Sequence, residues 1–583
     1  MQKILQNPKR SELVSLAVLV ALLICPAAGR AGAGADVSWI TYEAEAMKTT
    51  GAVLGPKYGP FLVEMESSGQ QCVKLAGAGQ YVEFTAQAAA NTMVIRYSLP
   101  DSPRGGGVNS TLGVCQNGRR VKNVPLTSHY SWIYGQYPFT KDPQADKPRD
   151  FYNDARVTGL AIHRGDVVRL QKSHDDGAYC IIDLVDLEDA PAPLKVPANS
   201  LSLIDFGAGG TGESDDTEAL RSCIAAASAG KKTVWVPAGT YKLAGDILLH
   251  SGVKIQGAGM WHTTFVGDPD LYAQPSQRVR FKLAGANIQL LDFSIVGKLN
   301  YRNDDEPNDG IVGAGCQDCV ISRIWVEHTK TGMWFYNGSH VRVDGCRLRD
   351  TMADGINLCV GCRDFVVENC TTRGTGDDCF AIWPVPADQG FVEQAPGPGS
   401  NVFRHCTGRL PFLANGGAIY GGRDNRIEDC HFEDISAGCG ILISSSFPTA
   451  DEKLNIDNNF SGTTVVRDCD LIRCGGYDHD WAWRAAVQLC ADRRSIAGVE
   501  LSHVTIQDSL SDGLSVVAPG SPKAEGTIAR VRLDHVNITT YGIGAPARHG
   551  LWIRGDASGS LAISHSQIAE LQNDSTNLTI IQE

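Results

Sequence analysis

From residue 38 to residue 188 apolar and polar positions alternate in short runs, such as Tyr81-Val-Glu-Phe-Thr and Met93-Val-Ile-Arg-Tyr, separated by turns bearing Gly, Asp and Asn. A period of two with no sustained helical period predicts half-buried strands, so a β-sandwich of jelly-roll type is expected over 36–188. Residues 189–200 hold three prolines in twelve and predict a stiff linker.

The pattern then changes. Leu220, Cys223, Ile224 and Ala227 recur at i, i+3, i+4 and i+7, which predicts one amphipathic helix with Asp216 or Thr217 as its N-cap. Beyond it, strand-like runs repeat without helices. Residues 341–358 and 365–382 superimpose with Cys346 on Cys370, a shift of 24, and Cys406 and Cys430 repeat that shift, with Cys469 following after an insertion. A period in the twenties without a leucine ladder predicts stacked β coils over 201–583. The order of the glycine-rich stretch 207–212, the helix and Val236-Pro-Ala-Gly-Thr-Tyr241 resembles the opening of right-handed parallel β-helix proteins that act on polysaccharides, so an all-β, right-handed β-helix is expected.

Stacking turns the alignment into a distance argument, because equivalent positions of adjacent coils lie about 4.8 Å apart. Eight residues after Cys346 stands Asp354, and eight after Cys370 stands Asp378, beside Asp377. One coil back is Thr331 and two back is Asp309. An Asp-Gly pair such as Asp512-Gly513 reads as a turn, but two stacked carboxylates with a third beside them must raise one another's pKa, which marks Asp354, Asp377 and Asp378 as candidate catalysts. Carboxylates without a serine nucleophile in register suit glycoside cleavage. Trp334, Trp383, Tyr420, Trp481 and Trp483 are candidate sugar-stacking aromatics, and Tyr130, Trp132, Tyr134 and Tyr137 form a second aromatic group in the first region.

Composition narrows the partners. The 583 residues include 63 glycines and carry a net charge of −13, which becomes −16 without residues 1–35, where Lys3, Lys9, Arg10 and Arg30 oppose Glu12. A nucleic-acid or anionic-membrane partner is not expected. The apolar run Leu13–Ile24, behind a basic start and ahead of small residues, predicts a secretory signal over 1–35; twelve residues are too few to span a bilayer. A secreted protein with no membrane contact after signal removal, acting as a monomer, is expected. Eighteen cysteines, seventeen after cleavage, would point to disulfides in an oxidising compartment, with at least one thiol left over. Cys316-x-x-Cys319 and Cys359-x-x-Cys362 are too far apart for the usual zinc ribbon.

Residues 353–357 (ADGIN), 374–383 (GTGDDCFAIW), 416–425 (GGAIYGGRDN) and 440–447 (GILISSSF) together resemble glycoside hydrolase family 87, the α-1,3-glucanases and mycodextranases. The resemblance implies an inverting hydrolase of α-1,3-glucan or nigeran, needing no cofactor for catalysis. It places catalysis on Asp354, Asp377 and Asp378, with Asp377 as acid and the other two activating water, and substrate contacts on Asp309, Trp334, Trp383, Tyr420 and Arg423. A polygalacturonase-type hydrolase is the alternative within the fold, but Gly416-Gly-Ala-Ile-Tyr420 stands where a Gly-His-Gly would be wanted. A lyase would want a base in the stacked register, where no basic residue falls. A non-catalytic polysaccharide-binding β-helix would have no use for repelling acids. Tyr42-Glu-Ala-Glu45, residues 79–84 and Ile182-Asp183 resemble carbohydrate-binding modules of the family 6 and 35 type, which implies a structural calcium on Glu43, Glu45 and Asp183 and a domain that concentrates substrate by tethering.

Overall fold

The computed structural model describes residues 32–174, 177–384, 398–447, 459–478, 482–492, 494–518, 527–545 and 548–583. Nearly all of the expected signal, and Trp481, lie outside the described residues. No described helix is long and apolar enough to cross a membrane.

The first region is two antiparallel sheets. One has the order Asn153–Val157, Thr92–Ser98, Cys180–Glu188, Cys72–Leu75, Ala52–Leu54, with Trp39–Glu43 also paired to Cys180–Glu188. The other has the order Lys48–Thr49, Tyr81–Thr85, Val167–Lys172, Asn109–Gln116, Arg119–Thr127. Val73, Val82, Ile95, Leu112, Leu170 and Ile182 fill the space between them. Thr92–Ser98 and Cys180–Glu188 are buried along their whole length, on both faces. The second face lies against the rest of the chain.

That rest is a parallel β-helix. One coil consists of Arg342–Asp344, Arg347–Thr351 and Ile356–Cys359, the next of Val366–Glu368, Thr371–Thr375 and Phe380–Trp383. The pairs Arg347 with Thr371 and Ile356 with Phe380 carry the shift of 24 read from the cysteines. Across coils the described strands join into sheets of 23 and 12 strands. The helix Thr217–Gly230 buries Leu220, Cys223, Ile224 and Ala227, the predicted face. Asp216 holds the N-cap position, but its carboxylate accepts the N–H of Gly209 (2.8 Å), and it is Asp215 that accepts the N–H of Thr217 (2.9 Å).

All seventeen described cysteines are buried and none is in a disulfide, a correction to the disulfide expectation. Cys346, Cys370, Cys406, Cys430 and Cys469 occupy one column inside the coils as apolar filling. From Cys370 to Cys469 each thiol donates to the carbonyl two residues earlier at 3.2 Å. Thiols satisfied this way need no partner to be buried.

Sandwich and β-helix lie within one compact unit, 33–583. Arg373 bridges Asp154 (2.7 Å) and Asp186 (2.8 Å), all nearly inaccessible, and Arg347 pairs with Glu188 at 2.7 Å. Asp350 accepts the N–H of Asp154 at 3.0 Å. Val94, Ala190, Trp261 and Trp325 form an apolar patch alongside. Buried ion pairs hold only in a fixed geometry, so the sandwich is not a module swinging on residues 189–200.

Candidate active site

Parallel pairing aligns Ile311, Met333, Ile356, Phe380 and Gly417. Two residues before each stand Asp309, Thr331, Asp354, Asp378 and Asn415, one column on successive coils. The turn that carries this column is braced by threonines: Thr329 Oγ1 donates to Thr331 O (2.7 Å), Thr351 to Ala353 O (2.8 Å) and Thr375 to Asp377 O (2.8 Å). Gly355 follows Asp354 for a steric reason, since a Cβ there would meet the carbonyl of Cys379 at 2.5 Å.

One carboxylate oxygen from each of Asp354, Asp377 and Asp378 lies within 4.8 Å of the others. Asp354 and Asp378 are buried, and Asp377 is partly exposed. Burial, and then the charges of Asp377 and Asp378, hold the Asp354 carboxyl well above the usual carboxylate range. Burial and Asp377 push Asp378 up to about 7, against the opposing pull of its hydrogen bonds. Those come from Asn415 Nδ2 (2.8 Å), the Asn415 backbone N–H (3.1 Å) and the Tyr420 hydroxyl (2.8 Å). Asp377 is met by Arg302, whose Nη2 is 2.5 Å from its Oδ2 and whose Nε pairs with Asp304 at 2.9 Å. The arrangement holds a proton, a carboxylate pair and a compensating cation at one point, which is the equipment of acid–base hydrolysis.

The trio lines a cavity of about 870 Å³ with Trp334, Trp383 and Tyr420. Trp334 and Trp383 meet edge to face at 5.7 Å, and Phe447 packs on Trp383 and Tyr420. The indole N–H of Trp383 finds no acceptor among the described residues. The lining cations are already engaged: Arg280 and Lys282 by Asp246, Arg302 as above, Arg484 by Asp478, and Lys330 by the carbonyls of Asp304 and Glu306.

Three predicted contacts do not reach the cavity. Asp309 is completely buried, held by the Tyr272 hydroxyl (2.7 Å) and the Lys330 N–H (2.5 Å), so it braces the coil rather than touching a sugar. Arg423 is exposed and pairs with its neighbour Asp424 outside the lining, and Trp483 packs on Tyr477 instead. In the first region only Tyr137 of the four aromatics lines the cavity, joined by Phe139. Tyr130 stacks on His328, Trp132 meets Phe151 edge to face, and Tyr134 donates to Asp101. Sequence reasoning missed Arg302 and Asn415, and named Tyr137 only as one of four aromatics without singling it out. Asn415 was findable as the next member of the column, displaced by an insertion; Arg302 and Tyr137 arrive from loops with no register to follow.

Glu43, Glu45 and Asp183 meet beside the turn Ser68–Gln70, where the β-helix adds Asp434. Asp183 is taken by Arg96 (2.5 Å) and the Ser68 N–H (2.9 Å), so it is a poor cation ligand. Glu43 Oε2, Glu45 Oε2 and Gln70 Oε1 are buried without a partner among the described residues, and such oxygens would suit calcium. Burial, followed for Glu43 by the charges of Asp183 and Glu45, raises Glu43 to about 8; burial likewise raises Glu45 to about 7.

Comparison with known proteins gives the lineage. Residues 36–190 match the family model for α-1,3-glucanase catalytic domain D1, and residues 215–569 match that for domain D2. The chain belongs to the α-1,3-glucanases of glycoside hydrolase family 87. A solved GH87 α-1,3-glucanase catalytic unit from Streptomyces thermodiastaticus is 28% identical, with a TM-score of 0.80 over 94% of this chain and 96% of that one. The Agl-KA catalytic domain superposes with a TM-score of 0.83 at 24% identity, over 94% and 99%. A GH87 catalytic domain in complex with nigerose, also 24% identical, superposes at 0.78 over 94% and 98%. A curated relative, alginate lyase 7 of Azotobacter vinelandii, is 43% identical over 67 residues only; the chain spans 8% of its length and covers 10% of itself in the match. For this α-1,3-glucanase the sandwich falls inside the catalytic unit, as its shared wall of the cavity requires.

Proposed function

We propose that this α-1,3-glucanase is a secreted, endo-acting, inverting hydrolase of neutral α-1,3-glucan or nigeran. The observation that carries the reading is the aspartate trio, convergent within 4.8 Å in an aromatic-lined cavity. A water donating two hydrogen bonds of about 2.75 Å spans acceptors about 4.4 Å apart. Asp354 and Asp378 can share one such water as the base pair, while the more exposed Asp377 protonates the leaving oxygen. A second reading exchanges acid and base, because burial holds the Asp354 carboxyl well above the usual carboxylate range and Asp377 faces Arg302. The neutral substrate is supported by the lining cations, each of which, among the described residues, is already engaged within the chain. Relatives solved with nigerose and with tetrasaccharides support an oligosaccharide in the cavity. The protein acts as a monomer in this reading, and a calcium on Glu43 and Glu45 would act on structure alone.

Purified protein is incubated with α-1,3-glucan, nigeran, dextran and polygalacturonate. Reducing ends from either of the first two, mixed oligosaccharides as early products and a β anomer in the first product are expected. Release from polygalacturonate alone overturns the substrate, and an α anomer overturns inversion. The nearest oxygens of the trio are closer than the about 6.5–9.5 Å usual for an inverting acid and base, so the anomer is the decisive readout.

A further inference from the structure

At the far end of the β-helix one turn position is histidine on three successive coils: His503, His535 and His565, all with left-handed φ of 52°, 55° and 48°. The register is direct, since Ser502 pairs with Asp534 and Asp534 with Ser564, each one residue before its histidine. The same column carries Asp292, Asn369, Asp429 and Asp468 on earlier coils, also left-handed. Asn, Asp and His tolerate that backbone, so tolerance explains why histidine is allowed. It does not explain a carboxylate aimed at two imidazoles.

Asp534 Oδ1 is 2.9 Å from His565 Nδ1, 3.1 Å from His535 Nδ1, and accepts the Ser564 hydroxyl at 2.9 Å. Ligand atoms of Asp534, His535 and His565 lie within 4.8 Å of one another, and no other described group that close contains histidine. The rings of His535 and His565 stack at 4.8 Å, and His503 covers His535 at 4.6 Å, which orients them. All three ligands face solvent, so an ion can enter. Two ligand atoms held about 2.1 Å from one ion at angles of 90–110° are about 3.0–3.4 Å apart. The two oxygen–nitrogen separations fall near that range.

We infer that Asp534, His535 and His565 bind a divalent transition-metal ion of the Zn²⁺ or Cu²⁺ type, joining two of the last coils of the β-helix. Two imidazoles and one carboxylate suit these ions and not calcium or magnesium. Asp534 and His535 belong to the strand Ile528–Ile538, and His565 follows Ser558–Ser564, to which the mostly exposed last strand Asn577–Gln582 is paired. An ion there ties two adjacent coils together and opposes their separation.

The test uses the full chain stripped with a chelator. Zn²⁺ titrated by calorimetry is expected to fill this site and raise the unfolding temperature, and Cu²⁺ to give an electron paramagnetic spectrum with two nitrogen ligands. Asparagine tolerates the left-handed turn, so H535N and H565N should fold. They are expected to weaken Zn²⁺ binding more than about tenfold and abolish the thermal gain, while H503N keeps both. Because the aspartate trio is the other convergent group, D354N/D378N serves as control. Binding and thermal gain unchanged in H535N/H565N but lost in the control overturn the inference, as does no Zn²⁺ binding by the parent chain at concentrations up to the millimolar range.

Discussion

Arg302 Nη2 lies 2.5 Å from Asp377 Oδ2, and the same guanidinium donates to Gly376 O at 2.6 Å, so one side chain both orients Asp377 and offsets the charge of three crowded carboxylates. Arg302→Met should lower kcat by about 10²–10³-fold, within the range for a misplaced acid–base group. Arg302→Lys should recover only part, because an ammonium cannot reproduce the planar fork. Steady-state kinetics on soluble α-1,3-oligosaccharides would read both, and a change confined to KM would assign Arg302 to binding alone.

The Tyr420 hydroxyl donates to Asp378 at 2.8 Å and favours its ionised form. Tyr420→Phe removes that donor, so the Asp378 pKa rises from about 7. If Asp378 must be ionised, activity falls as pH drops below its pKa, and the acidic limb of kcat/KM should move to higher pH in the variant. A limb that stays in place removes Asp378 from the base pair.

Acid and base are separable by leaving group. With a glucosyl fluoride, whose leaving group needs no proton, the variant lacking the acid should retain most activity, while variants lacking the base pair stay about 10²–10⁴-fold impaired. Asp377→Ala is expected to be the variant rescued. Rescue of Asp354→Ala instead would establish the exchanged assignment.

Asp154 of the sandwich shares Arg373 of the β-helix with Asp186. Asp154→Ala leaves a buried guanidinium half-compensated and should destabilise the chain by about 3 kcal/mol. Calorimetry should show one shared unfolding transition moving down. Two separate transitions in the parent protein would mean the domains are not one cooperative body.

Glu43 and Glu45, raised from 4.5 to about 8 and about 7, bind protons more tightly folded than unfolded. Without a cation their contribution is therefore present below pH about 4.5 and lost as pH rises toward 8. Calcium would keep both ionised and remove the loss. Unfolding temperatures at pH 5 and pH 8, in chelator and in calcium, should diverge only at pH 8. A calcium effect surviving Glu43→Gln/Glu45→Gln would falsify this site.

What the chain declared on its own was whatever repeats. Alternation marked the sandwich strands, the helical face of Leu220, Cys223, Ile224 and Ala227 needed no structure to be seen, and the cysteine shift of 24 set the coil register. Because a parallel coil converts register into distance, that shift alone suffices to stack Asp354 on Asp378. It misjudged residues whose meaning depends on which way a side chain faces. Asp309 belongs to the right column yet is sealed inside by Tyr272, and the buried cysteines, read as disulfide partners, are core filling. Only tertiary structure could bring Arg302 to Asp377 or Tyr137 to the cavity, since both sit on loops whose paths answer to packing and not to period. The placing of the sandwich was decided there too: it depends on buried charges, Arg373 with Asp154 and Arg347 with Glu188, that are 219 and 159 residues apart and carry no local sign of one another.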